Sequence, residues 1–131
     1  MKRILIVEDH PDTQSLLCDL LELEGYEVRC SGEAHGVLGL ARRMNPDLIV
    51  LDVKLPGLSG IELLELLNRD RQMRQVPVLM CSGAVDELNA NREQIEGSGA
   101  RVITKPFALE DLLSAVQSCI EQGQRALDPS A

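Results

Sequence analysis

The sequence predicts an α/β protein in which one parallel sheet is covered by helices on both faces. Short apolar runs alternate along the 131-residue chain with longer segments that carry apolar residues at helical spacing. Apolar residues make up 44% of the chain, which is enough to fill a core on both faces of a sheet. The length suits one domain, and neither a repeat nor a low-complexity segment interrupts the alternation.

The first four predicted elements form two strand–helix units. Ile4–Val7 is a continuous apolar run, which is typical of a buried parallel strand. Residues 12–24 place leucines on one helical face and end at a glycine. Tyr26–Cys30 is a short alternating strand, and residues 33–44 predict a second helix that an Asn-Pro pair ends.

The next strand, Leu48–Leu51, is apolar at every position, so we expect it near the centre of the sheet. A helix over Ile61–Leu67 follows a Pro-Gly turn. Val76–Cys81 is the fourth strand, whose proline lies near the start, where it is tolerated.

The last units are a polar helix at residues 86–96, a strand at Arg101–Thr104 and an amphipathic helix at about 108–122. We therefore expect one domain over residues 1–123 and a short C-terminal tail over residues 124–131. Five such units with right-handed crossovers predict a doubly wound, flavodoxin-like (βα)5 sheet with strand order 2-1-3-4-5. That order creates a switch point between strands one and three, where ligands bind beside the carboxyl ends of the strands.

The composition argues against several functions. With 21 acidic and 13 basic side chains the net charge is −8, and no basic run is present, so we expect no nucleic-acid binding by this domain. The apolar run at the N-terminus is too short for a signal peptide or a membrane span. The four cysteines form no C-x-x-C pair and predict reduced thiols in a cytoplasmic protein.

Polar residues end four of the five predicted strands. Glu8 and Asp9 follow the first strand, Asp52 the third, Ser82 the fourth and Lys105 the fifth. Each alone has an ordinary interpretation as a turn or cap residue, but their convergence at one sheet edge indicates a functional site. Because three carboxylates in one cleft repel each other, we expect an ammonium and a divalent cation, Mg²⁺, to balance them.

These strand ends resemble the receiver domains of bacterial two-component response regulators, of the chemotaxis-regulator type. The resemblance covers roughly residues 2–122 and rests on four segments in the family's order and spacing. They are Ile4–Asp9, Asp52–Gly60, Ser82–Ala84 and Thr104–Phe107.

The resemblance implies that Asp52 accepts a phosphoryl group from the phosphohistidine of a sensor histidine kinase or a histidine phosphotransfer protein. Ser82 and Lys105 would each bind a phosphoryl oxygen. Such a domain is no enzyme in the usual sense, because it catalyses only its own phosphorylation and dephosphorylation. The resemblance also implies a cis peptide bond between Lys105 and Pro106.

The same resemblance implies a ligand set for Mg²⁺. Asp9 would bind the ion directly, together with Asp52, and Glu8 would act mainly through a metal-bound water. The backbone carbonyl of Lys54 would complete the protein ligands. The Lys54 side chain either overhangs the phosphoryl group and slows hydrolysis, or is a solvated lysine paired with Glu8.

Phosphorylation would change the surface formed by helix four, strand five and helix five, where a downstream effector protein binds. The sequence leaves open whether this face forms a homodimer. Val102 stands where the family usually has an aromatic residue, so ring rotation cannot be the switch here.

Two rival functions remain at this point. One is a receiver-like interaction module that works without phosphorylation. Val102 is compatible with it, because the family's usual aromatic switch residue is absent there. The other is a small phosphate-ester hydrolase with Asp52 as nucleophile, which lacks a second carboxylate where Lys54 stands. His10, next to the acidic pair, is interpreted as a loop residue, since Pro11 begins a helix and hard cations prefer oxygen.

Overall fold

A computed structural model describes residues 1–83 and 85–126, with side chains through Gly123. Its five strands are β1 Arg3–Val7, β2 Glu27–Ser31, β3 Leu48–Leu51, β4 Val78–Ser82 and β5 Arg101–Thr104. Its helices are α1 Pro11–Leu23, α2 Val37–Met44, α3 Gly60–Arg69, α4 Val85–Ala90, α5 Arg92–Gly97 and α6 Leu109–Ala126, with a single 3-10 turn at Met73–Gln75.

The strands form one parallel sheet in the order β2-β1-β3-β4-β5, which confirms the predicted order. Val7 is in register with Leu51, so the residues that follow these two strands lie side by side. Ser82 is in register with Thr104 across β4 and β5. The carboxyl ends of β1, β3, β4 and β5 therefore meet at one edge, as the sequence predicted.

Alternate residues of the sheet pack into two separate apolar cores. Leu5 and Ile49 face the core covered by α2, α3, α4 and α5. Ile4 and Val50 face the opposite core, which α1 and α6 cover. All four side chains are essentially inaccessible to solvent, so the central strands are buried on both faces. They form a rigid base for the polar residues at the carboxyl ends of the strands.

The prediction of five helices was wrong at the fourth. The segment predicted as one helix over residues 86–96 is two helices, α4 and α5, which meet at Asn91. Asn91 has φ −115° and ψ 15°, outside the helical region. Its side-chain amide donates a hydrogen bond to the carbonyl of Glu87 at 2.8 Å, so a side chain competes locally with the helical backbone pattern.

Other boundaries shift by a few residues. Helix α2 begins at Val37 rather than residue 33, because Gly36 has a φ of +82° and the chain before it forms a bend and a turn. Helix α3 is longer than predicted, since the hydroxyl of Ser59 accepts from the backbone N–H of Glu62 at 3.2 Å and caps its start. Strand β4 begins at Val78, after the proline.

All four cysteines are free thiols. Cys81 and Cys119 are buried, whereas Cys18 and Cys30 are half-buried. Within the described residues, no helix has the length and apolar character needed to cross a membrane. Ala84 and the predicted tail fall outside the residues whose side chains are described.

Candidate functional site

The three acidic residues predicted from the strand ends lie together. One carboxylate oxygen from each of Glu8, Asp9 and Asp52 lies within 4.8 Å of the other two. Glu8 is 2% exposed and Asp52 9% exposed, while Asp9 faces solvent. The register of β1 against β3 produces this cluster, because both strands end at the same level of the sheet.

Neighbouring strands hold the backbones of the two buried acidic residues, Glu8 and Asp52. The N–H of Asp52 donates to the carbonyl of Val7 at 3.0 Å, and the N–H of Glu8 donates to the carbonyl of Ser31 at 3.0 Å. These bonds continue the sheet one residue beyond the strands. The carboxylates are thus fixed by the sheet rather than by a loose loop.

Lys105 reaches the cluster from the far side. Its Nζ forms an ion pair with Oε1 of Glu8 and lies 3.7 Å from Oδ2 of Asp52. Burial lowers the pKa of Lys105, but the hydrogen bond to Glu8 and the charges of Asp52 and Glu8 outweigh burial and raise it overall. The ammonium therefore stays protonated across the physiological range.

One ammonium does not balance the cluster. Burial and a hydrogen bond with Asp52 raise the pKa of Glu8, although Lys105 acts in the opposite direction. The site holds more negative charge than its own cation compensates. Three clustered carboxylates, two of them buried, are the hard oxygen donors that Mg²⁺ takes, so the residues present fit this ion.

Gly60, the first residue of α3, lies directly against the loop that follows Asp52. A Cβ at this position would overlap the backbone carbonyl of Asp52. The N–H of Gly60 also donates to the carbonyl of Val53 at 2.6 Å. Only glycine allows this approach, which holds the Asp52 backbone in place.

Ser82 and Lys105 are joined through their backbones. Ser82 ends β4 and is 2% exposed, and its carbonyl accepts a hydrogen bond from the N–H of Lys105 at 3.0 Å. The peptide bond between Lys105 and Pro106 is cis, as the resemblance implied. Glu8, Asp9, Asp52 and Lys105 therefore lie together, and the sheet places Ser82 beside Lys105 at the same edge.

The pairing of Lys54 with Glu8 was wrong. Lys54 lies 3.8 Å from Oε1 of Glu87 on α4, and its side chain is 71% exposed. Lys105 already forms the ion pair with Glu8. Lys54 thus connects the loop after Asp52 to α4.

Two residues near the site were missed by the sequence analysis. The side-chain amide of Gln14 donates to the carbonyl of Glu8 at 2.9 Å and fixes the turn into α1. Glu87 pairs with Lys54. Neither carries a local signal, since both resemble ordinary polar residues on exposed helix faces. His10 lies at the start of α1, and its N–H lies 3.4 Å from Oε2 of Glu8.

A family model described as the response regulator receiver domain matches residues 4–117. Among characterised proteins, the polar-differentiation response regulator DivK of Brucella ovis is 32% identical over 118 residues, covering 89% of this chain and 94% of DivK. The DNA-binding dual master transcriptional regulator RpaA of Synechocystis is 32% identical over 125 residues. That match covers 95% of this chain but 52% of RpaA, so the chain spans about half of that relative.

Solved structures agree with the sequence relatives. A CheY-like receiver domain protein from Methanospirillum hungatei superimposes with a TM-score of 0.84 at 30% identity, covering 95% of this chain and 98% of that one. The receiver domain of the sensor histidine kinase PA1611 from Pseudomonas aeruginosa, solved with a magnesium ion coordinated in its active site cleft, gives 0.81 at 27% identity, covering 92% and 98%. The fold, the polar residues at the carboxyl ends of the strands and the relatives all indicate the same family. The chain belongs to the response regulator receiver domain family.

Proposed function

We propose that this receiver domain accepts a phosphoryl group on Asp52 from a histidine kinase or a histidine phosphotransfer protein in a Mg²⁺-dependent reaction. The observation that carries the proposal is the position of Asp52, buried among Glu8 and Asp9 with the Lys105 ammonium 3.7 Å from its carboxylate. A carboxylate in that setting combines a nucleophile with a fixed cation for the charge of the transferred group.

In the proposed transfer, an Oδ atom of Asp52 attacks phosphorus while the N–P bond of the phosphohistidine breaks. The bonding electron pair stays on the imidazole nitrogen of the donor, and Asp52 becomes an acyl phosphate. Lys105 exchanges part of its contact with Glu8 and Asp52 for a phosphoryl oxygen, and the hydroxyl of Ser82 donates to another. Hydrolysis by water would reverse the modification.

Asp9, Asp52 and the carbonyl of Lys54 would hold Mg²⁺, with Glu8 acting through a bound water. When bound, the ion supplies positive charge for the phosphoryl oxygens and relieves the repulsion among the carboxylates. The close approach of the Glu8, Asp9 and Asp52 carboxylates, with one lysine to balance them, supports this assignment.

Phosphorylation would add up to about one further negative charge at Asp52. Ser82 and Lys105 would respond, and they lie at the ends of β4 and β5. The surface affected is the one formed by α4 and α5, which together make up the predicted fourth helix, with β5 and α6. We propose it as the binding face for a downstream effector and for any homodimer. Val102 of β5 is half-buried and packs against the aliphatic core, so a backbone or helix shift carries the signal.

We assign this function to residues 1–123, with residues 124–131 as the C-terminal segment, the first three residues of which continue α6. Lys105 is the one basic residue among those that follow or end the strands at this edge. Nucleic-acid binding is therefore not part of the proposal. The reduced cysteines fit a cytoplasmic site of action.

Intact mass spectrometry after incubation with acetyl phosphate tests the proposal. The wild type should gain one phosphoryl group with Mg²⁺ and none with a chelator, whereas Asp52→Asn should gain none. Asp19→Asn, on the exposed side of α1, is the matched control and should behave as the wild type. Equal modification of wild type and Asp52→Asn, or none in the wild type, would favour the phosphorylation-independent interaction module.

A further inference from the structure

A cavity of about 250 Å³ lies at the edge of the sheet opposite the acidic cluster. Val78 and Arg101, the first residues of β4 and β5, line it, whereas Ser82 and Lys105 lie at the other ends of these strands. The end of α6 and the loop around Gly99 form the remaining walls. The cavity is therefore separate from the phosphorylation site, at the amino-terminal edge.

Two arginines from different elements line the cavity, Arg74 from the 3-10 turn and Arg101 from β5. The Arg74 side chain makes no hydrogen bond or ion pair with any described residue. Arg101 donates a hydrogen bond to the hydroxyl of Ser118 at 2.5 Å and also interacts with the Cys119 thiol. Since a guanidinium has five N–H donors, both retain donors for a ligand.

The chemistry of the wall is unlike that of the rest of the chain. No Asp or Glu is among the described residues that line the cavity, although acidic side chains outnumber basic ones 21 to 13 in the sequence. Asn68 and Gln122 add amide groups, and Leu64 and Pro77 supply an apolar floor. Net positive charge beside an apolar surface favours an organic anion over a cation or a neutral polar molecule.

The walls are fixed rather than loose. A Cβ on Gly123 would come within 2.7 Å of the ring of Pro77, so α6 packs directly against the strand entry. The carbonyl of Pro77 accepts a hydrogen bond from the N–H of Ile49 at 3.1 Å. Gly99 turns the chain into β5 with a φ of +85°, and Cys119 is buried at 2% exposure. A preformed cavity lowers the entropic cost of binding.

We infer that this cavity binds a small organic anion, with its phosphate or carboxylate group on the guanidinium groups of Arg74 and Arg101 and its apolar body against Leu64 and Pro77. The planar guanidinium matches both oxyanions in a bidentate geometry. The inference does not depend on phosphorylation of Asp52, because none of the cavity residues belongs to the acidic cluster.

Backbone amide NMR of the full chain in chelator-containing buffer tests this site with phenyl phosphate, benzoate, phenol and inorganic phosphate as probes. Phenyl phosphate or benzoate should shift the amides around Val76, Gly99 and Gly123 saturably, with a Kd of about 1 mM or below. Whichever of the two binds more tightly identifies the oxyanion. Phenol and inorganic phosphate should each bind at least about tenfold more weakly.

The double variant Arg74→Gln with Arg101→Gln should weaken binding at least about tenfold. Its matched control removes the same charge elsewhere, at Arg69 and Arg92, which pair with Glu65 and Glu96. Arg74→Gln alone covers the case in which the double variant does not fold. Shifts that do not saturate, equal affinity in the two double variants, or phenol binding as tightly as phenyl phosphate would overturn the inference.

Discussion

Two buried carboxyl groups at opposite edges of the sheet have opposite environments. Asp70, after α3, accepts hydrogen bonds from Nε of Arg42 at 2.8 Å and from the N–H groups of Gln72 and Met73 at 2.9 and 3.0 Å. The Arg42 hydrogen bond and these backbone donors hold the pKa of Asp70 below its ordinary value. At the other edge, burial and a hydrogen bond with Asp52 raise the pKa of Glu8.

The difference separates a carboxylate that stabilises the fold from one to which we propose a functional role. Asp70 has its own arginine and two backbone donors, so its charged form stabilises the fold. Glu8 shares one lysine with Asp52 and lies beside further negative charge. Local stability alone would not select such an arrangement, and it is expected where a cation and a phosphoryl group are to be bound.

The largest effect should follow from a substitution at Gly60, whose backbone lies against that of Asp52. Gly60→Ala should lower the free energy of unfolding by about 3 kcal/mol, because the new Cβ meets the backbone of Asp52. Gly97→Ala, where nothing lies within 4 Å, should leave it unchanged or raise it by up to about 1 kcal/mol. Urea denaturation followed by circular dichroism measures both, and equal values for the two variants would contradict the close approach.

Asp70→Asn tests the structural carboxylate. It should lower the urea midpoint at neutral pH, since Arg42 and two N–H donors lose their charged acceptor. A carboxyl with a depressed folded-state pKa contributes stability above its unfolded pKa, near 3.8, and loses it as pH falls below that value. The gap between wild type and variant should therefore close in acid, and a gap independent of pH would count against this role.

Glu8→Gln should act in the opposite direction when Mg²⁺ is removed by a chelator. Removing a buried charge, and with it the repulsion from Asp52, should raise the free energy of unfolding at neutral pH by about 0.5 to 2 kcal/mol. A raised folded-state pKa means that the wild type loses stability as pH rises above the ordinary value of 4.5. The advantage of the variant should grow over that range in urea titrations. A variant less stable than wild type at neutral pH would show that Glu8 is structural, like Asp70.

Lys54→Ala should have the smallest effect on stability, within about 0.5 kcal/mol, because its pair with Glu87 is exposed. We expect the wild-type Lys54 ammonium to move from Glu87 to the phosphoryl group and to hinder water, so Lys54→Ala should shorten the half-life of the phosphorylated form. Glu87→Gln releases Lys54 and should lengthen this half-life. The fraction of phosphorylated protein, followed by mass spectrometry over time, measures both, and an unchanged half-life in Lys54→Ala would refute this role.

The sheet and the convergence of Glu8, Asp9, Asp52 and Lys105 at one edge were predictable because both depend on short sequence signals. Continuous apolar runs predict buried parallel strands, and the strand order then brings Glu8, Asp52 and Lys105 to one edge without further information. The family resemblance added roles that geometry alone does not assign. Asp70 carried no such signal, since its partner Arg42 lies 28 residues away.

The errors concern interactions that depend on side-chain detail. The break at Asn91 coincides with a side-chain amide hydrogen bond to the carbonyl of Glu87, within a segment whose apolar spacing still fits a single helix. Glu8 pairs with Lys105, which lies 97 residues away along the chain, and Lys54 pairs with Glu87 instead. Long-range competition of this kind leaves no local pattern in a sequence.

The most direct test of the account is the effect of Mg²⁺ on the free energy of unfolding. Wild type should gain stability as Mg²⁺ is added, reaching about 2.7 kcal/mol at a hundredfold excess over Kd. Asp9→Asn should gain clearly less, and Asp19→Asn, on the exposed side of α1, should match the wild type. An equal gain in Asp9→Asn and wild type, or no gain in either, would contradict the claim that the clustered carboxylates at this edge bind the ion.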